Sequence, residues 1–188
     1  MTGARWPDVG QRLAMLEESV EVIRALWAGD VVDHHGEHYT VENARLYTLP
    51  GEPPPVYVSA FGRRAAEVAA RIGDGLMIVT PDAETIDVFR ERGGAGKPVH
   101  AGAKVCWGQD ESTALTAVHT LWPNDSLPGE LAQVLPSPRH FEQASTLVTS
   151  EMVAGSTALG PDPDRHVETL RQYADAGVGR GTRLPDRR

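Results

Sequence analysis

Residues 55–80, PVYVSAFGRRAAEVAARIGDGLMIVT, have the pattern of a strand, a glycine loop, a helix, a glycine turn and a second strand. Residues 56–59 are short and apolar, and residues 63–72 place small and apolar side chains on one helical face. Residues 76–79 form a continuous apolar run, which is typical of a strand covered on both faces. The stretch therefore predicts a right-handed βαβ crossover in a parallel sheet, with its ligand site at the carboxyl ends of the strands.

The turn after the first of these strands is the leading candidate site, formed by Ser59, Ala60, Phe61 and Gly62. Small residues let the backbone approach a ligand closely. Gly62 and the following helical turn present unpaired backbone N–H groups and the positive end of the helix, which suit an anion. Arg63 or Arg64 can add a charge-assisted hydrogen bond. The alternative is that the small residues only permit a tight turn.

Composition excludes several classes of protein. The net charge is −8, from 18 basic and 26 acidic residues, which argues against a nucleic-acid partner. The single cysteine, Cys106, excludes an intrachain disulfide framework and fits a reducing compartment. No apolar run approaches the roughly 18–20 residues of a membrane span, and the N-terminus lacks the apolar region of a signal peptide. We expect a cytoplasmic protein with no membrane partner.

The remaining pattern predicts an α/β protein. Helices are expected at residues 7–28, 81–92, 110–122, 138–148 and 163–176. Two short strands are expected around Gly36, and the alternating residues 98–107 predict one further strand. Three strand–helix units in parallel order indicate an α/β fold. A complete eight-unit barrel needs about 200–250 residues or more, so this chain cannot contain one.

A cluster near Gly36 raises the question of a metal. His34, His35, Glu37 and His38 crowd together, and imidazole and carboxylate groups are zinc ligands. Their spacing matches no compact helical metal motif. A solvated hairpin is the alternative, and we expect no metal site.

Several stretches, taken together and in order, resemble the bacterial luciferase-like flavin and deazaflavin oxidoreductases. The resemblance is closest to the branch that uses coenzyme F420 and includes the glucose-6-phosphate dehydrogenases, and it covers residues 6–179. The matching stretches are RLAMLEESVEVIRALWAGD, HGEHYTVENARLYTLP, PPPVYVSAFG, AARIGDG, KVCWG and GPDPDRHVETLRQYADAG.

The resemblance implies the C-terminal part of a TIM-type (β/α)8 barrel, incomplete and with a small β-hairpin insertion. Residues 1–179 would form this partial barrel domain, and residues 180–188, RGTRLPDRR, a basic tail that is disordered or aberrant, as after a frameshift or truncation. The family's proton-transferring His, Trp and Glu belong to an N-terminal half, so no catalytic residue is expected in this chain.

The resemblance also implies a function. It implies hydride transfer between coenzyme F420 and an unknown organic small molecule, in a family that often forms homodimers. The alternatives are an FMN-dependent luciferase-like monooxygenase and an inactive truncated remnant.

Family residues carry over to two places. The resemblance implies that the cofactor's phosphate-bearing tail lies against Ser59, Ala60, Phe61, Gly62 and Arg63. Many relatives have Gly where Phe61 stands, so Phe61 is expected to narrow the pocket. The expected substrate-binding residues are Val79, Thr80 and Asp82.

Sugar-phosphate dehydrogenases of the family hold the phosphate with a Thr, two Lys and an Arg. The resemblance places these positions at Val79, Asp82, Ala132 and Ser156 in this chain. A phosphate would lose its cationic partners, each worth about 1.5–3 kcal/mol, and meet a carboxylate at Asp82. We therefore expect that glucose 6-phosphate is not the substrate.

Three further residues have open roles. Lys104 either points into the barrel or pairs with an acid. Cys106 is expected to be a small buried residue, and Trp107 a packing residue or part of a pocket wall.

Overall fold

The computed structural model describes residues 6–129 and 131–179, so the predicted tail at 180–188 lies outside the described residues. The main elements, in chain order, are α1 (Val9–Trp27), β1 (Val32–His35), β2 (Thr40–Ala44), β3 (Tyr57–Ser59), α2 (Arg63–Ile72), β4 (Gly75–Ile78), α3 (Ala83–Phe89), β5 (Val99–Ala101), β6 (Val105–Cys106), α4 (Glu111–Leu121), α5 (Leu131–Val134), α6 (Pro138–Ser145), α7 (Ser150–Ser156), β7 (Ala158–Leu159) and α8 (Pro163–Ala176). A π-helical turn (Arg90–Gly94) follows α3, and a 3₁₀ turn (Pro123–Ser126) follows α4.

The chain divides into two compact units. The three-strand unit comprises described residues 6–102 and 173–179, and the two-strand unit comprises residues 103–129 and 131–172. Helix α8 begins in the two-strand unit and ends in the three-strand unit.

The three-strand unit contains the predicted βαβ crossover. Strands β3, β4 and β5 form a parallel sheet in that order, with Leu76 of β4 opposite Val58 and Val99 on its neighbours. These three side chains are at most 4% exposed. The small residues predicted on one face of α2 allow that helix to pack closely on the sheet, and Phe89 of α3 completes the core at 0% exposure.

A hairpin lies against α1 in the same unit. Strands β1 and β2 are antiparallel, as predicted. Glu18 of α1 accepts hydrogen bonds from the backbone N–H groups of His38 (2.9 Å) and Tyr39 (2.7 Å), and its carboxylate lies 3.0 Å from His34 Nε2. Within the cluster, the His34 side chain thus faces the carboxylate that anchors the hairpin, whereas His35 pairs with Glu42. Within the described ranges, no three His, Cys, Asp or Glu side chains are grouped so as to hold a metal ion.

The prediction of one strand at residues 98–107 is wrong. The Gly102 N–H donates to Ile78 O (3.0 Å) and ends the ladder on β4, and the chain then starts the separate strand β6. Strand β6 pairs in parallel with β7, in which only Ala158 and Leu159 take part. A two-residue strand has no readable period, so the sequence did not indicate it.

Smaller differences concern helix ends and loops. Helix α3 is shorter than predicted and gives way to the π turn, because Gly93 adopts φ +117° and breaks the helical path. The 3₁₀ turn and α5 lie between the helices predicted at 110–122 and 138–148, where no element was predicted, and α7 was not predicted either. No helix in the described part of the chain combines the length and apolarity that crossing a bilayer requires.

Candidate functional site

The predicted anion loop lies at the carboxyl end of β3. Ser59 pairs with Met77 of β4, and the Ala60 N–H donates to Met77 O (3.2 Å), so the sheet holds the start of the loop. Ala60 is buried at 4% exposure, whereas Phe61 is 65% exposed. Gly62 has φ +105°, a conformation that favours glycine, and it turns the chain directly into α2.

The amino end of α2 is left open to a ligand. Gly62 has no side chain to cap the helix, whereas Asp8, Asp82, Asp110 and Thr149 cap α1, α3, α4 and α7 with side-chain oxygens. The first N–H groups of a helix have no partner inside the helix. A Cβ at Gly62 would meet no heavy atom within 4 Å, so this turn is not packed against other side chains. This geometry fits a phosphate group.

Neither nearby arginine pairs with the loop. Arg63 Nε lies 3.6 Å from Glu67 Oε1 on the same helix. Arg64 lies near Asp8 at the start of α1; the pKa of Asp8 is lowered chiefly by the hydrogen bond from the Gln11 N–H, with a smaller contribution from Arg64. Each of the two guanidinium groups therefore lies near a carboxylate outside the loop.

The predicted substrate residues follow β4. Because β3 and β4 are parallel neighbours, Val79 and Thr80 lie at the same edge of the sheet as the loop at Ser59. Val79 is 47% exposed, and its carbonyl accepts a hydrogen bond from the Tyr173 hydroxyl (2.9 Å). The structure thus brings the two predicted groups of site residues to one edge, although their roles remain predictions.

Asp82 has a structural task that the sequence analysis missed. Its carboxylate accepts from Thr85 Oγ1 (2.6 Å) and from the Thr85 N–H (3.1 Å), which caps α3. The hydroxyl of Thr85, followed by its N–H, lowers the pKa of Asp82. Asp82 is therefore a fixed negative charge at neutral pH, just beyond the edge that carries Val79 and Thr80.

Other candidate residues lie in the two-strand unit. Lys104 pairs with Asp125, which decides between its two predicted roles, and its ammonium lies 5.8 Å from the Trp122 ring centroid. Cys106 is half-buried against the core.

Trp107 is 62% exposed, so the prediction of a packing residue is wrong, and its ring lies beside His166. Ser156 bonds to Val153 O within α7, and Ala132 lies in α5.

Sequence reasoning also missed a pair of contacting side chains on the sheet of the three-strand unit. The Tyr57 hydroxyl lies 3.2 Å from His100 Nε2, and the two rings meet edge to face at 4.8 Å. Gly75 on the intervening strand makes this possible, since a Cβ there would lie 2.4 Å from the Tyr57 ring. A tyrosine and a glycine at the starts of neighbouring strands were the available signal, but Gly75 was interpreted only as a turn residue.

Comparisons with known proteins all indicate the same family. The model of the luciferase-like monooxygenase family matches residues 1–180. The F420-dependent glucose-6-phosphate dehydrogenase of Segniliparus rotundus is 34% identical over 187 residues, which covers 92% of this chain and 55% of that protein. The corresponding enzyme of Rhodococcus hoagii is 32% identical with the same coverage.

Among solved structures, an F420-dependent secondary alcohol dehydrogenase in complex with an F420–acetone adduct is similar with a TM-score of 0.81 and 26% identity, over 94% of this chain and 57% of that one. The F420-dependent tetrahydromethanopterin reductase of Methanopyrus kandleri, at 19% identity and a TM-score of 0.61, shares the fold over 88% of this chain and 55% of that one. The chain spans about half the length of the curated relatives it matches.

Proposed function

The chain belongs to the luciferase-like monooxygenase family, and we propose that it forms the wall that binds the cofactor tail in an F420-dependent oxidoreductase. Its fold is an incomplete luciferase-like barrel, as the sequence predicted. The relatives at 34% and 32% identity, and the structural neighbour at 26%, are all named as F420-dependent enzymes. These names favour F420 over FMN as the cofactor.

The open amino end of α2 is the observation that carries this proposal. Gly62 caps the first N–H groups of the helix with no side chain, and a Cβ at Gly62 would meet no heavy atom within 4 Å. A phosphate on the cofactor tail would accept hydrogen bonds from these donors and gain from the helix dipole. The Phe61 ring is exposed beside the same turn, and its proposed role is to narrow the approach to the cofactor tail. These residues bind and orient the tail, and the proposed role of Arg63 is to add positive charge at the edge.

The residues after β4 select an uncharged substrate in this proposal. Val79 offers an apolar side chain, and Asp82 offers a carboxylate that its bonds to Thr85 keep ionised. A phosphate monoester would be repelled there, whereas a neutral alcohol or ketone would not. The alcohol dehydrogenase neighbour is consistent with such a substrate.

The chemistry itself needs groups beyond these residues. Bound F420 supplies the carbon that accepts or donates a hydride. The part of the chain described above positions the cofactor tail and shapes the substrate edge, and we assign it no proton-transferring residue. The substrate is a small molecule, and the expected homodimer and cytoplasmic location remain predictions.

Fluorescence titration of the 188-residue protein with F420, and separately with FMN, tests the cofactor assignment. We expect saturable binding of F420, weaker binding of FMN, and competition by inorganic phosphate at the tail site. Tighter binding of FMN would favour the monooxygenase alternative. If the protein unfolds cooperatively but binds neither F420 nor FMN, the proposal that it binds the cofactor tail is contradicted.

A matched glycine pair locates the binding site. Gly62 and Gly96 both have positive φ (+105° and +79°), and a Cβ at either would meet no heavy atom within 4 Å. Gly62→Ala should weaken F420 binding by distorting the start of α2. Gly96→Ala places comparable strain in the loop before β5 and should leave binding unchanged. Equal effects of the two substitutions would move the site elsewhere.

The substrate assignment has its own test. Saturable reduction of F420 by glucose 6-phosphate, in any active assembly that contains this chain, would refute it. Turnover of short neutral alcohols under the same conditions is the expected result.

A further inference from the structure

The connector between β2 and β3, residues 45–55, is exposed at every position. Its sequence is RLYTLPGEPPP. Tyr47 is 92% exposed, and the apolar residues Leu46 and Leu49 on either side of it are 38% and 40% exposed. Single exposed apolar residues are ordinary on a protein surface, whereas a contiguous exposed group marks a site of interaction. The connector is therefore a candidate protein-binding segment.

Contacts within the three-strand unit hold this connector in place. Leu49 packs at the end of α1, where a Cβ at Gly29 would lie 2.7 Å from Leu49 Cδ1. Just after the connector, the Val56 N–H donates to Asp74 Oδ2 (2.8 Å), which also accepts from Arg24 of α1 (2.9 Å). A segment that is already anchored loses less conformational entropy when it binds a partner.

The connector carries groups that are complementary to one another. Proline-rich segments bind exposed aromatic side chains in many complexes, and the connector contains both Tyr47 and the prolines at 50 and 53–55. Arg45 and Glu52 have opposite charges, and neither makes an ion pair or a side-chain hydrogen bond within the described ranges. A segment that contains both halves of two interactions can bind a second copy of itself.

The order of these groups has two-fold symmetry. Counted outward from the bond between residues 48 and 49, Tyr47 and Pro50 are each second, and Arg45 and Glu52 are each fourth. An isologous interface uses the same patch on both copies, so that each contact between two positions occurs twice. Two connectors that meet in opposite directions would therefore place Tyr47 against Pro50 twice and Arg45 beside Glu52 twice.

We propose that residues 45–52 form the contact of a homodimer, in which a two-fold axis passes near the bond between residues 48 and 49. The charge complementarity of the segment with itself favours a second copy of this chain over an unrelated partner. The whole connector supplies eleven residues a side, fewer than the about 20–30 of a standard interface, so we expect a weak dimer. The proposal depends on neither the cofactor nor the substrate of the proposed enzyme.

Charge reversal is the first test, measured on the 188-residue protein by analytical ultracentrifugation over a range of concentrations. Arg45→Glu and Glu52→Arg should each weaken the dimer about tenfold or more, because two like-charge contacts replace two ion pairs. The matched controls are Arg139→Glu and Glu142→Arg, which make the same changes of charge at exposed positions on α6 in the two-strand unit. They should leave the dissociation constant unchanged.

Mixing the two weakened variants tests the two-fold symmetry. A heterodimer of Arg45→Glu with Glu52→Arg has opposite charges at both contacts, so its affinity should return to within about threefold of the parent value. Native mass spectrometry identifies this heterodimer, because the two variants differ in mass. The double variant that carries both substitutions in one chain should also dimerise as the parent does.

The aromatic contact is tested by a second series. Tyr47→Ala should weaken the dimer about a hundredfold, because a central aromatic anchor is lost twice. Tyr47→Phe keeps the ring and should retain the dimer. The control is Leu147→Ala in the two-strand unit, where the leucine is 75% exposed and lies outside the connector. Thermal unfolding of each variant, followed by circular dichroism, distinguishes loss of the dimer from loss of the fold.

Three results would overturn the proposal. A protein that stays monomeric at every concentration would exclude a second copy as the partner. A dimer that neither charge reversal weakens would place the interface on another surface. Two weakened variants that fail to pair when mixed would show that Arg45 and Glu52 do not meet across a two-fold axis. None of these results involves F420, so each is separate from the test of the proposed function.

Discussion

The three-strand and two-strand units use similar local signals but build cores of different depth. In the three-strand unit, Leu76, Ile86, Phe89 and Val99 are all 0% exposed around one sheet. In the two-strand unit, Val153 reaches 0% and Leu159 1%, and the other buried members of that core are between 2% and 8% exposed. Its sheet contains only two residues on each strand.

This difference between the two units shows what makes a strand predictable from the sequence. A strand with several consecutive buried apolar residues, such as β4, creates a local pattern, whereas β6 and β7 depend on partners distant in the chain. Both units share one helix-start motif, Asp-x-x-Thr, at Asp82 and at Asp110. Substitutions at equivalent places can therefore separate the effect of the core from the effect of local structure.

Removing core volume should have the largest effect. Phe89→Ala should reduce the free energy of unfolding of the three-strand unit by about 3–5 kcal/mol. Leu159→Ala in the two-strand unit should cost about 2–5 kcal/mol and fall at the low end, because a shallow core relaxes around a cavity. Hydrogen exchange followed by mass spectrometry would assign each loss to its unit. Equal losses would contradict the difference in core depth.

Loss of the half-buried Glu18 carboxylate on α1 should release the hairpin. Burial opposes ionisation of Glu18, but hydrogen bonds from His34 and from the Tyr39 and His38 N–H groups outweigh it and lower its pKa. Glu18→Gln should therefore speed exchange of the His38 and Tyr39 amides about tenfold at neutral pH. The control is Glu42→Gln, which removes a carboxylate 3.0 Å from His35. Because both of these side chains are more than 60% exposed, this substitution should leave the exchange of the His38 and Tyr39 amides almost unchanged.

The same carboxylate predicts a pH dependence. Since the pKa of Glu18 is lower in the folded protein than its ordinary value of 4.5, its stabilisation is complete above pH 4.5 and is lost as the pH falls through the folded value. Amide exchange in the hairpin, corrected for its intrinsic pH dependence, should rise in that range in the parent protein. If Glu18→Gln shows the same rise, another group holds the hairpin.

The two helix starts give a smaller and closely matched contrast. Asp82→Ala should cost about 0.5–2 kcal/mol, as for other N-cap losses. We expect its effect to exceed that of Asp110→Ala, because Thr85 is 2% exposed and would keep an unsatisfied buried hydroxyl. Chemical denaturation followed by circular dichroism would measure both. A larger loss for Asp110→Ala would contradict the burial argument.

The smallest effect is expected at the end of α8. Tyr173→Phe removes the hydroxyl that donates to Val79 O at 2.9 Å and should cost about 0.5–1.5 kcal/mol. Burial raises the pKa of Tyr173, so the hydroxyl keeps its proton well above neutral pH. We expect faster exchange and proteolysis in the segment after β4, with no change in the two-strand unit. Unchanged exchange and proteolysis in this segment would show that the helix cap formed by Asp82 holds the segment without the Tyr173 hydrogen bond.

Local patterns were sufficient for the βαβ crossover of the three-strand unit and for the place of its candidate loop. The apolar run before Gly62, the small face of α2 and the buried strand after it are set by neighbouring residues, so the βαβ crossover and the position of Ser59 at its edge followed from the sequence. Motif order likewise indicated the family. The roles predicted for Ser59, Arg63 and Thr80 still await the binding measurements above.

Tertiary structure decided what depends on contacts between distant residues. It divided the predicted strand at Gly102, because that N–H bonds to Ile78 while β6 finds its partner in Ala158 and Leu159, some fifty residues later. It gave Asp82 the task of capping α3. It also gave Gly75 a reason that the sequence could not show: a side chain there would occupy the space through which Tyr57 reaches His100. Periodicity records which face of an element is buried, but only the folded chain determines what lies against that face.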